Sequence, residues 1–169
     1  MSLFVRVSCK ITIFALASLT RRQPRCKSKV CTGFFKNRNA VTQEEKVIYW
    51  LDLADYDMET AEGLFTIKRW LYVGFMCHQV IEKTLKSYWC KTREDNPPYV
   101  HNLAQIAIQC GIYEEMTPEQ QRTIAVLMPM NIEARYPEYK EQLLKRMSEG
   151  FCRQLIEDTK ALQQWIRNK

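Results

Sequence analysis

The chain has 169 residues, 46% of them apolar, which suits one domain with a sizeable core. Five Gly and six Pro are few for an all-β protein full of tight turns. The formal charge of +6 sits in one segment: residues 1–43 hold nine Lys or Arg and no acid, leaving 16 basic and 19 acidic residues in 44–169. That remainder, a net of about −3, has no general attraction for phosphate chains.

Within the first segment, the apolar run from Ile11 to Leu19 follows Arg6 and Lys10, and Ala15-Leu16-Ala17 has the small-x-small form of a signal-peptidase site. The run is too short to span a bilayer, which needs about 20 apolar residues. It is also short for a signal peptide. The basic stretch behind it lacks periodicity, so residues 1–43 are expected to be a disordered tail or not native coding sequence, with translation starting near Val41. Cysteines stand at 9, 26, 31, 77, 90, 110 and 152, an odd number without CxxC or Cys/His spacing. No zinc site, other metal or cofactor is expected, and free thiols point to a reducing, cytoplasmic setting. Cys77, inside a helical pattern, is expected to be a small apolar filler.

The pattern changes at Gln43. Val47, Leu51, Ala54, Met58, Ala61 and Phe65 alternate steps of four and three, the stripe of a helix of about six turns. Thr42 followed by Glu45 is a capping-box pattern, with Glu44 and Glu45 at the positive helix end. After a break at Lys68-Arg69, a second helix is predicted from Trp70 to Thr92, with Gly74, His78, Ile81, Leu85 and Tyr88 on one face. Val73, Cys77, Val80 and Thr84 widen that face, so this helix is expected to be buried on more than one side. The short link makes the two helices antiparallel neighbours.

Pro97-Pro98 ends the second helix. A short helix is predicted over 103–110, closed by Gly111, and another begins at Thr117-Pro118 and runs to about Leu127, before Pro129. The last is predicted over 145–167, with Met147, Phe151, Leu155, Ile156, Leu162 and Ile166 inward. The expected fold is all-α, an antiparallel up-and-down bundle of four main helices plus a short fifth, occupying 44–169.

Four segments resemble the HEPN family (higher eukaryotes and prokaryotes nucleotide-binding domain). Tyr49-Trp50-Leu51 with Ala54 and Asp57 resembles its first helix, and Phe75 to Lys86 its Gln-rich patch running into Glu-Lys-x-Leu-Lys. Pro97-Pro98-Tyr99-Val100-His101-Asn102-Leu103 is similar to the family's proline loop and His-x-Leu helix start. Asn131 to Tyr139 is similar to the Ile-Glu-x-Arg-Tyr-Pro-acid signature of one bacterial and archaeal branch. The resemblance implies a helical bundle that dimerises and forms a complex with a minimal nucleotidyltransferase, as in a toxin–antitoxin pair. It also implies, for many members, ribonuclease activity from an Arg and a following His with four to six residues between them. Here the only histidines are His78 and His101, with eight residues between Arg69 and His78 and seven between Arg93 and His101. That motif is absent, so an enzyme is not the expected reading.

Among candidate ligand-binding residues, Arg135 stands first, with Glu133, Tyr136 and Tyr139 around it: a guanidinium can grip phosphate with two hydrogen bonds and a tyrosine can stack on a base. The plainer alternative pairs Arg135 with Glu133 or an acid on the first helix. His101, Gln79 and Lys83 complete the set, and weak catalytic candidates are His78, His101 and Arg135. His78 also fits a hydrogen-bonded core or seam residue, and His101 precedes Asn102 where capping is the ordinary role. Glu82 and Lys86 are four apart and can pair in an ordinary helix contact. The expected function is a module binding nucleotide, RNA or a partner protein. A ribonuclease with a divergent Arg/His site and a purely structural scaffold are the alternatives.

Overall fold

The helix starts follow local chemistry. In the computed structural model, which describes residues 41–133 and 145–169, helix α1 (Gln43–Thr66) begins with the full capping box: Thr42 Oγ1 accepts from the Glu45 N–H, and Glu45 accepts from the Thr42 N–H. It ends at Ile67, and Lys68 turns the chain with φ of 57°. Helix α2 (Trp70–Thr92) then runs back along α1. Their antiparallel pairing is pinned at both ends, by the T-shaped Phe65–Trp70 pair at the link and by Gln43, whose side-chain amide donates to the Cys90 carbonyl at 2.7 Å.

Helix α3 (Leu103–Gln109) starts at Asn102, whose side chain caps the Gln105 N–H, and leads to Gly111 at φ 77°, a backbone angle suited to glycine. A single 3-10 turn (Tyr113–Glu115) precedes α4 (Pro118–Leu127), which has a second full capping box from Thr117 and Gln120 and proline in its first turn. The four-residue α5 (Met130–Glu133) follows, and α6 (Glu149–Arg167) closes the bundle. Expected as one helix from 145, this last element instead starts at Glu149. Lys145 and Arg146 are helical, but the Ser148 side chain accepts from the Phe151 N–H and sets a new N-terminus.

The expected all-α architecture is thus present, with no strand among the described residues. Helix α2 is its axis and packs on α1, α3, α4, α5 and α6. Its double-width apolar face accounts for this: Val73, Cys77, Val80, Ile81 and Leu85 are fully buried, and Leu103, Ile106, Leu127 and Leu162 from other helices complete the core around them. Cys77 fills core space as expected, and burial pushes its thiol up to about 12, so it is a small apolar residue and not a nucleophile. Among the described residues no helix is long and apolar enough to cross a membrane.

Candidate functional site

Along α2 the polar residues His78, Glu82 and Lys86 recur every four positions, so they share one side of the helix. All three are buried. A buried charge survives only with partners, and Glu82 has several. Its Oε1 accepts from Lys86 Nζ at 2.8 Å, and its Oε2 lies 3.5 Å from His78 Nε2. From outside the helix, His101 Nδ1 approaches both carboxylate oxygens, at 3.1 and 3.0 Å. Burial pushes the Glu82 carboxyl up, but the polar side chains of His78, Lys86 and His101 together outweigh it and hold the group down at about 2. Glu82 is therefore an ionised hub at neutral pH.

The histidines differ in kind. His78 is completely buried, and its Nδ1 donates to the Leu127 carbonyl at 3.0 Å, tying α2 to the end of α4. The carbonyl can only accept, so Nδ1 carries a proton. His78 Nε2 is buried, faces Glu82 and has no hydrogen bond among the described residues. His101, by contrast, keeps 59% of its side chain exposed while its inner nitrogen meets Glu82. It enters α3 from the Pro97-Pro98 loop, and the cap of that helix is Asn102, not His101.

Several contacts fasten the loop that carries His101. Arg93 stacks over the Trp89 ring at 4.2 Å and donates to the Gln109 carbonyl. Trp89 Nε1 donates to Asp95 at 3.0 Å, and Lys46 reaches across from α1 to Asn96 at 2.9 Å. Tyr99, two residues before His101, is 98% exposed. A large aromatic held outside the core beside an exposed histidine is a natural stacking surface.

Of the sequence-derived candidates, His78 and His101 converge on the same carboxylate. Lys83 is occupied by an ion pair with Asp57 of α1. Gln79 is half-buried on α2. Glu133 ends α5, and its side chain, together with Arg135, Tyr136 and Tyr139, lies outside the described residues. The candidate missing from the sequence reading is Glu82. Its four-residue spacing from both His78 and Lys86, on a helix expected to be buried on more than one side, is the signal that could have found it. Lys86 pairs with Glu82 as its spacing predicts, but its ammonium is buried and lies 5.3 Å from the centre of the Trp50 ring.

A separate groove of about 430 Å³ lies between α1, α2 and the end of α6, walled by Val47, Ile48, Leu51, Tyr88 and Ile166. Its walls are mainly apolar, and Glu44, Lys91 and Arg167 also line it. The described residues hold no group of three or more His, Cys, Asp or Glu able to bind a metal ion.

Similarity to known proteins is specific about the family and silent about the ligand. The family model described as HEPN domain matches residues 47–169. A search of curated proteins gave no match. Among solved structures, TT1696 from Thermus thermophilus is similar, with a TM-score of 0.63 at 13% sequence identity, covering 73% of this chain and 97% of that one. At that identity the likeness concerns the fold alone.

Proposed function

This chain belongs to the HEPN family, and from that premise we propose that it binds a nucleotide, an RNA or a partner protein through the surface around His101. The observation that carries this reading is the buried, ionised Glu82 cluster that reaches the surface at a single histidine. A buried ion pair is weak evidence for stability, because an apolar replacement often does as well. Its extension to an exposed imidazole beside an exposed Tyr99 supports recognition as the reason for it. Gln79 and the segment holding Glu133, Arg135, Tyr136 and Tyr139 extend the proposed surface. Lys83, paired with Asp57, would contribute by holding α1 and α2 in register around it.

The finer reading is a complex with a minimal nucleotidyltransferase in a toxin–antitoxin-like pair, by a chain of the branch marked by Ile132-Glu133-Ala134-Arg135-Tyr136-Pro137. Homodimer formation is part of it: Ile48 and Tyr49 on α1 are 57% and 58% exposed, large apolar side chains of the kind a second copy would cover. Co-expression with a nucleotidyltransferase encoded beside this gene tests the complex. Stable co-purification, weakened by His101→Ala, is the expected result. Absence of binding to that protein, to nucleotides and to RNA at high micromolar concentration would defeat the proposal.

One observation favours a second reading, a ribonuclease with a divergent site. A carboxylate behind an exposed imidazole is the arrangement that orients histidine for proton transfer. His78 is too buried to touch RNA, so the role would fall to His101 with Arg135. Metal-free cleavage of cellular RNA, lost in His101→Ala, is what this reading requires.

A further inference from the structure

His101 is one of only two histidines in the chain, and among the described residues its side-chain hydrogen-bond contacts are both to Glu82. An ionised carboxylate has no proton to give and only accepts. His101 Nδ1, 3.0 Å from one oxygen and 3.1 Å from the other, must therefore be the donor. A neutral imidazole carries a single N–H, so if that proton is on Nδ1, the outer nitrogen Nε2 bears a lone pair. Glu82 cannot swing away to release this constraint, since it is buried and held from the other side by Lys86 at 2.8 Å.

We infer that Glu82 is a positioning residue that locks His101 in its Nδ1–H form, so that the exposed ring presents Nε2 as a hydrogen-bond and proton acceptor. The inference rests on the proposed function only for the statement that a ligand arrives there. It names the chemistry that ligand must bring: a donor group, such as a sugar hydroxyl or the exocyclic amine of a base, facing Nε2. An unprotonated phosphate or carboxylate oxygen set against the neutral ring would meet lone pair with lone pair. If a bound hydroxyl gives up its proton, the O–H bond breaks, the electron pair stays on oxygen, and the proton forms the Nε2–H bond. The resulting imidazolium is then stabilised by the carboxylate at its back.

The test is the tautomer of the histidines by ¹⁵N–¹H NMR on the full chain labelled at histidine, near pH 8, above the ordinary histidine range of about 6.5. The expected wild-type result is a dominant His101 Nδ1–H form with Nε2 unprotonated. A dominant Nε2–H form, or a ring protonated on both nitrogens at that pH, would overturn the inference without need of any variant. The second arm is the double substitution E82M/K86M, which removes the buried pair together and leaves no uncompensated charge. It should abolish the Nδ1–H preference and bring up the Nε2–H signal, whereas an unchanged tautomer would show that Glu82 is not its cause. Neither spectrum depends on a ligand. A correct tautomer with no binding partner found would count against the proposed function, and binding with the wrong tautomer would count against this inference.

Discussion

At Glu82 a single carboxylate settles the charge of its surroundings, and its removal has a calculable cost. Glu82→Ala strands the Lys86 ammonium in a buried position, and loss of one partner of such a pair costs about 3–5 kcal/mol. Equilibrium urea unfolding should register that loss, while E82M/K86M should stay within about 2 kcal/mol of wild type, because the apolar pair fills similar volume without a charge. Equal destabilisation by the two variants would show that packing, not the stranded charge, dominates. The same carboxyl predicts a pH dependence with a definite sign. Its folded value near 2 lies below the ordinary 4.5, so its stabilisation is fully present above pH 4.5 and is lost as pH falls towards 2. Wild type should therefore lose its stability relative to E82M/K86M across that window, as read by urea midpoints at successive pH values. Parallel curves would mean that the cluster does not couple to folding.

Elements meet closely where α2 passes the chain segment after α4. A Cβ added at Gly74 would lie 2.3 Å from Met130 Sδ and 3.0 Å from Met147 Cε, so this glycine permits a close approach of helix to side chains. Met130 is almost fully buried and has little room to retreat. Alanine would help the helix itself by about 1 kcal/mol, but overpacking costs about 1–3 kcal/mol, and the net change should be destabilising. In a Met130→Ala background the severest contact is gone and only the flexible end of Met147 must give way, so Gly74→Ala should become stabilising there. Thermal unfolding of the four proteins in the cycle measures the change of sign.

This contact also marks the limit of what the sequence discloses. Caps at Thr42 and Thr117, the stop at Pro97-Pro98 and the wide apolar face of α2 are local signals, and each appears in the structure where its residues predict it. The Ser148 cap is equally local, but the apolar residue Met147 just before it continues the helical stripe and disguises the boundary. The Glu82 cluster is not local. Spacing of four residues looks the same for a solvated pair and a buried one, and His101 arrives from beyond a proline loop, 19 positions away. The Lys83–Asp57 pair likewise depends on the register between α1 and α2, which periodicity alone does not specify.

For the whole molecule, charge and fold are assigned to different parts of the chain. The family match begins at residue 47, while nine of the 25 basic residues lie in 1–43. Any RNA affinity of the full chain therefore has two physically distinct sources. Binding through the basic segment is governed by counterion release. For single strands its logarithmic salt slope is about −0.7 per phosphate neutralised, hence as steep as about −6 if all nine cations engage. Recognition at the His101 surface involves a donor group and a stacked ring on a domain of net negative charge, so its salt slope should be shallow, about −1 or less. Removing residues 1–40, which takes all nine cations and leaves Thr42 and Gln43 in place, should flatten the salt dependence of binding to a short single-stranded RNA and weaken its affinity at low salt. The part of the affinity that survives high salt should instead respond to His101→Ala and Tyr99→Ala. Binding measured by fluorescence anisotropy across salt concentrations separates the two contributions. A shortened protein that keeps the steep slope would place the cations inside the bundle, contrary to the charge distribution. A full chain whose salt-resistant binding ignores both substitutions would remove the His101 surface from RNA recognition.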